Sequence, residues 1–248
     1  MIDPDLLLPD EVGRARVALA AGDLDRAAAV CAGLLTRFPG YAAAWRLLGD
    51  AERGRGDARA AGRAYAAALA RDPRLPEAWL GYGLLAEERG RLDDALAYCQ
   101  VAWEQAPERA DLRSALERLA GLRFGIGGAL ELSRPALAVI HLRAGRRERA
   151  AREYTAALTA LPDRLDLHLG LAESLWGLGH DDDAEAICVY VLATHPEVAL
   201  ALLILAEIER GRGASVLTDD LRRRLLASDP DGALAGAAVA AHSRVTSS

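Results

Sequence analysis

Between Ala42 and Arg109 the apolar and small positions recur with a period of 34 residues. Trp45 returns as Trp79, Gly49 as Gly83, Gly56 as Gly90, Ala61 as Ala95 and Pro73 as Pro107. Inside one period the pattern describes two helices. Trp45, Leu48 and Glu52 follow spacings of three and four along one stripe of a first helix. Gly56 is placed to end it, because glycine accepts a left-handed cap cheaply. Asp57 is a start signal, Ala61, Tyr65 and Ala68 form the inner stripe of a second helix, and Pro73 closes the unit.

The same lattice extends in both directions. One period back stand Gly22, Ala27 and Pro39; further on stand Gly145, Ala150, Tyr154 and Pro162, then Gly179, Ala184, Cys188 and Pro196, then Gly213 and Pro230. In the last unit Thr218 takes the Ala place and Arg222 the aromatic place, as an end unit facing water allows. Six units are expected, at 8–41, 42–75, 76–109, 131–164, 165–198 and 199–232. Residues 1–232 then form a single solenoid, and the Ala-rich start of the tail 233–248 forms a short capping helix before a frayed end.

The lattice is interrupted once, by residues 110–130. Leu112, Ala115, Leu116 and Leu119 predict a helix over 110–122, and three glycines between Arg123 and Leu130 predict a loop. One extra helix in a two-layer stack exchanges the layers of everything after it. Eight extended residues reach up to about 27 Å, whereas a helix of this length spans about 20 Å. The loop can therefore run back along the helix and restore the alternation, and a kink or crossover is expected there.

Composition agrees with an all-helical chain: 52% of its 248 residues are hydrophobic, only 5% are aromatic, and Ala and Leu dominate. The cations are all Arg; Lys and Asn are absent. Net charge is −6 and uneven, −3 over 1–109, +4 over 110–164 and −7 over 165–248. An acidic chain argues against general nucleic-acid binding. The start, Met1 to Asp5, lacks a basic segment followed by an apolar core, and the longest apolar run, Val198 to Ala206, is far short of the ~20 residues of a membrane span. A cytoplasmic protein without membrane insertion is expected.

Candidate chemistry mostly dissolves into the lattice. Cys31, Cys99 and Cys188 occupy the place where Tyr65 and Tyr154 stand in other units, which makes them packing residues and not a metal or nucleophile set. His141 and His168 fall on first helices, with His168 at the Trp place. Asp181, Asp182 and Asp183 open a second helix, where acids cap free amides and complement the dipole. Gly125 to Gly128 lacks the preceding strand and Lys of a phosphate loop. No catalytic constellation, metal site or cofactor site is expected.

Trp45-x2-Leu48-Gly49, Ala61-x3-Tyr65 and Pro73, repeated as Trp79-x2-Tyr82-Gly83, Ala95-x3-Cys99 and Pro107, resemble the tetratricopeptide repeat. The resemblance implies a right-handed all-α superhelical solenoid whose first helices line a concave groove that binds a peptide or partner protein. Projected onto this chain, the groove presents Arg46, Asp50 and Arg53, then Glu77, Leu80 and Leu84, Arg118 from the extra helix, Val139, Leu142 and Arg143, and finally Leu169, Glu173 and Trp176. Trp176 lies off the stripe of Trp45 and Trp79 and is expected to be partly exposed. Its alternative is packing against the following unit. The Lys/Asn carboxylate clamp of chaperone-binding relatives is not matched. The functional expectation is a non-catalytic scaffold or adaptor; the alternative is an assembly component that self-associates through the solenoid ends or segment 110–130.

Overall fold

The computed structural model describes residues 8–125, 131–213 and 216–232, and within them every regular element is an α-helix. The first three pairs are α1 (Leu8–Ala20) with α2 (Leu24–Arg37), α3 (Ala42–Gly54) with α4 (Ala58–Arg71), and α5 (Pro76–Glu88) with α6 (Leu92–Gln105). A single helix, α7 (Ala110–Phe124), follows. Three more pairs complete the chain: α8 (Arg134–Arg143) with α9 (Arg147–Ala160), α10 (Leu165–Trp176) with α11 (Asp181–Thr194), and α12 (Ala199–Gly211) with α13 (Val216–Ser228). The capping helix expected in the tail lies outside the described residues.

Each hairpin turns on a glycine. Gly56 has φ 82°, and the amide after it, that of Asp57, closes back on the Glu52 carbonyl at 3.0 Å. A residue with a Cβ would be strained there. Asp57 then starts α4 by accepting from the Arg59 and Ala60 amides at 3.1 and 2.8 Å, bonds that hold its carboxyl below the usual range. The acidic run in the fifth unit works differently from expectation. His180 occupies the cap without a side-chain bond, and Asp182, in the first turn of α11, pairs with Arg212 at 2.6 Å.

The helices of a pair touch across alanine. Ala27, Ala61, Ala95, Ala150 and Ala184 are fully buried. One turn further along stand Cys31, Tyr65, Cys99, Tyr154 and Cys188, at most 2% exposed. The Tyr65 ring is held between Gly49 of its own unit and Gly81 of the next; a Cβ on Gly49 would sit 2.5 Å from the ring, and one on Gly81 closer still. Where the following unit offers Leu47 or Ile204 at the place of Gly81, the facing residue is Cys31 or Cys188, packed in the same cluster. Large faces small and small faces large, so the volume in each layer is conserved. Burial pushes the thiols of Cys31 and Cys99 up to about 11 and that of Cys188 to about 12. Native protein at pH 8 is therefore expected to consume no Ellman reagent, and protein in strong denaturant to release three equivalents of chromophore; fast reaction of the native state would contradict this packing.

Trp45 and Trp79, on the inner stripe of their first helices, are not fully buried. Both are partly exposed, and each indole N–H donates to a carbonyl of the preceding turn, Pro39 at 2.8 Å and Pro73 at 2.9 Å. His168, at the same place in its unit, puts Nε2 2.8 Å from the Pro162 carbonyl. The shared role of this position is to tie a first helix to the turn before it.

The array does not run straight. α7 packs on α6, with Arg118 paired to Glu87 of α5 and Arg123 to Asp93 of α6 at 2.7 Å. It thereby fills the place where a fourth unit of a linear array would stack. α8 instead meets the C-terminal turn of α6 with both its ends: the Ser133 hydroxyl donates to Glu104 at 2.7 Å, and Arg143 donates to the Gln105 carbonyl at 2.8 Å. From there α8, α10 and α12 stack on one another as α1, α3 and α5 do.

The second arm, residues 131–232, runs back beside the first, residues 8–124. The third unit touches the fourth through Glu104 to Arg164 and the fifth through Gln105 to Asp166. The second touches the fifth through Arg74 to Glu173 at 2.5 Å and Arg71 to Glu197 at 2.7 Å. The first touches the sixth through the Tyr41 hydroxyl to Asp231 at 2.6 Å. At Gly40 an added Cβ would lie 2.7 Å from the Ser228 hydroxyl, so the backbones themselves come close. Each apolar cluster of described residues draws its members from one arm only, whereas Glu104, Gln105, Asp166, Ser228 and Asp229 are buried where the arms meet. Two apolar cores are joined by a polar seam.

Candidate partner-binding surface

The thirteen groove positions separate into two sets, one on each arm. In the first arm, Arg46, Asp50 and Arg53 project from α3, Leu80 and Leu84 from α5, and Arg118 from α7, all at least partly accessible. Their charges are arranged in pairs. Arg46 meets Asp50 at 2.5 Å, the other Asp50 oxygen accepts from the Tyr65 hydroxyl at 2.7 Å, and Arg53 meets Glu88 at 3.0 Å. Arg118 holds both oxygens of Glu87, and this bond pulls the Glu87 carboxyl below its usual range. Glu77 is engaged by Arg109. Leu80 leans on the apolar cluster beneath α5–α7. The result is a row of mutually neutralised charges with Leu84 among them, rather than a cationic clamp.

In the second arm the expectation fails for three residues. Leu169 is fully buried, Val139 is 9% exposed and Trp176 only 5%. Trp176 is thus deeper than Trp45 or Trp79 and takes the alternative placement, packed against the following unit. The cause is α12, in which every residue from Ala199 to Ala206 is buried. A helix that apolar is covered on all sides, and it takes Trp176 and Leu169 into a single cluster with α11 and α13.

Val139, Leu142, Arg143 and Glu173 do come together, beside the first arm, with Arg143 still exposed. With Asp72 and Arg74 of that arm they line a cavity of about 590 Å³. Arg143 is held by Glu108 at 2.5 Å and by the Gln105 carbonyl. Burial alone would lower the affinity of Arg74 for its proton, yet the carboxylates of Glu173 and Asp72 outweigh it and hold the guanidinium charged. Asp72 in turn has its carboxyl raised by burial, with Arg74 opposing the shift. The seam residues Tyr41, Arg71, Arg74 and Gln105 lie outside the groove row because they sit at or beside the turns between units. Their only signal in the sequence is the strongly acidic balance of the chain after residue 164.

Among the described residues no group of three His, Cys, Asp or Glu side chains could hold a metal ion, and no helix is long and apolar enough to cross a membrane.

Models of the tetratricopeptide repeat match residues 12–61 and 47–110, and a second such model matches residues 141–208. No curated protein matches the chain. Among solved structures, a tetratricopeptide repeat protein from Parabacteroides merdae is 15% identical over 96% of this chain and 98% of its own, with a TM-score of 0.41. The TPR2AB domain of yeast Sti1, in a complex with an HSP90 peptide, has the same identity, coverage and TM-score. The APC/C hetero-tetramer Cut9–Hcn1 is 14% identical with a TM-score of 0.42, over 93% of this chain but only 48% of that one, so the present chain spans about half its length.

Proposed function

The chain belongs to the tetratricopeptide-repeat family, and from that premise we propose that it is a non-catalytic scaffold whose concave first-helix surface binds a peptide or partner protein. Proteins of this family generally mediate protein–protein interactions. The observation that supports the reading here is the first-arm row: Arg46, Asp50, Arg53, Leu84 and Arg118 stay partly accessible side by side on α3, α5 and α7. Their pairing matters for recognition. Exposed ion pairs are worth little on their own, so a partner can exchange one for its own charge at small cost while Leu80 and Leu84 supply apolar contact.

A photo-crosslinking amino acid placed at Leu84 tests this in lysate of the native host. A discrete adduct is expected from position 84 and none from Val189, which is 54% exposed on α11. Equal labelling from both positions, or labelling from Val189 alone, would refute groove binding.

A further inference from the structure

At four contacts of the seam the first arm donates, although at the fold-back point Arg164 and Arg143 of the second arm donate to Glu104 and Glu108 in the opposite sense. Tyr41, Arg71, Arg74 and Gln105 of the first arm donate; Asp231, Glu197, Glu173 and Asp166 of the second arm accept. Residues 165–232 carry 13 acids against 5 arginines, a net −8. The second arm therefore offers a row of carboxylates, and the turn Arg71–Arg74 lies on it as a ligand would. Glu173 is also one of the groove positions, equivalent in the lattice to Asp50.

The resident turn does not fill the site. The cavity of about 590 Å³ remains beside the Arg74–Glu173 pair, and Tyr154 lines it. Tyr154 is 2% exposed, and its hydroxyl makes no hydrogen bond to another described residue. The reason is visible in the lattice. Tyr65 gives its hydroxyl to Asp50, but Val139 stands at the corresponding place beside Tyr154, so the Tyr154 oxygen, at the cavity wall, is left to accept from a ligand. That hydroxyl is not among the buried polar atoms left unpartnered, so it is reached from the cavity, where its oxygen can accept from an incoming donor. The cations on the wall do not block the site: Arg143 is turned to Glu108, and Arg147 lies along Gly177.

We infer that this acidic face of the second arm is a docking site for an arginine-bearing segment of a partner protein, and that the first-arm turn is its built-in competitor. The inference deepens the scaffold reading and rests on it. A guanidinium fits better than an ammonium because its planar fork can meet a Glu173 oxygen and the Tyr154 oxygen together. The apolar wall of Val139 and Leu142 accommodates the arginine stem. Because the site is occupied by its own chain, its apparent affinity is reduced by the fraction of molecules in which the turn has left.

The probe is a fluorescent peptide with the sequence of residues 69–76, compared with versions carrying lysine or glutamate at both arginine positions. Fluorescence anisotropy is expected to show binding of the arginine peptide tightened by at least about tenfold in Arg71→Ala/Arg74→Ala. Glu173→Gln added to that variant should abolish the gain, and the lysine peptide should bind more weakly throughout. Should the double variant not fold, Arg71→Gln, which keeps the half-buried Arg74–Glu173 pair, permits the same comparison. No tightening on removal of the turn, or equal binding of all three peptides, overturns the inference. So does concentration-dependent dimerisation of the double variant without peptide binding, which would assign the face to a second copy of the chain. Crosslinking from Leu84 reports on the first-arm row alone, so it separates failure of this site from failure of the scaffold reading.

Discussion

Trp176→Ala is expected to destabilise the second arm by about 3–5 kcal/mol, the range for truncating a buried aromatic. The indole is 5% exposed in a cluster that joins α10 to the apolar run Ala199–Ala206 of α12. Its loss leaves a void between two rigid first helices, and neither can move in without disturbing its own partner. Trp45→Ala is the comparison. That indole is partly exposed and held by a hydrogen bond to Pro39 and by the Arg71 guanidinium over its ring, so a loss nearer 1–2 kcal/mol is expected there. Urea unfolding followed by circular dichroism distinguishes the two. A Trp176→Ala loss below about 1 kcal/mol, the usual surface range, would mean that the side chain is not core.

Tyr65→Ala is expected to cost a similar 3–5 kcal/mol, but in the first arm. The ring is fully buried between Gly49 and Gly81 and is the bulkiest buried side chain in a layer shared with Ala61, Ala68, Ala78 and Leu85. Alanine at 65 leaves two glycine surfaces facing a cavity that backbone cannot fill. Tyr65→Phe isolates the hydroxyl. It removes a 2.7 Å bond to Asp50, whose other oxygen is still held by Arg46, and should cost about 1–2 kcal/mol. Because the arms have separate apolar cores, each variant should shift the unfolding of its own arm and leave the other near its original midpoint. One transition moving as a unit in both variants would show that the seam couples the arms more strongly than its polar contacts imply.

The alternation of Cys and Tyr at the aromatic place is legible from residues alone once the unit is known. Sixteen positions after Tyr65 and Tyr154 stand Gly81 and Gly170; sixteen after Cys31 and Cys188 stand Leu47 and Ile204. Helix pairing, the glycine turns and the role of alanine follow from the same period, because all of them are interactions within a unit or with the next. The placement of Trp176 stays open in the sequence for the complementary reason. Its lattice place faces the groove in a generic unit, and only the unbroken apolar run of α12 shows that here the next helix closes over it. The seam was not legible. Its partners lie up to 190 residues apart and are paired in reverse unit order, so no periodic signal encodes them. Only the placement of α7 and the approach of α8 to the end of α6 decide which units meet.

The polar seam also changes the topology of folding. Every contact inside an arm joins neighbouring units, and such local contacts form quickly because little chain must be closed to make them. The bond from Tyr41 to Asp231 has no such advantage; its closing has to wait until both arms are rigid enough to present their edges. A helical array of this length would otherwise count among the fast-folding, low-contact-order topologies. By folding back on itself the chain acquires a set of distant contacts made of charge and hydroxyl groups rather than apolar surface, formed last and opened first.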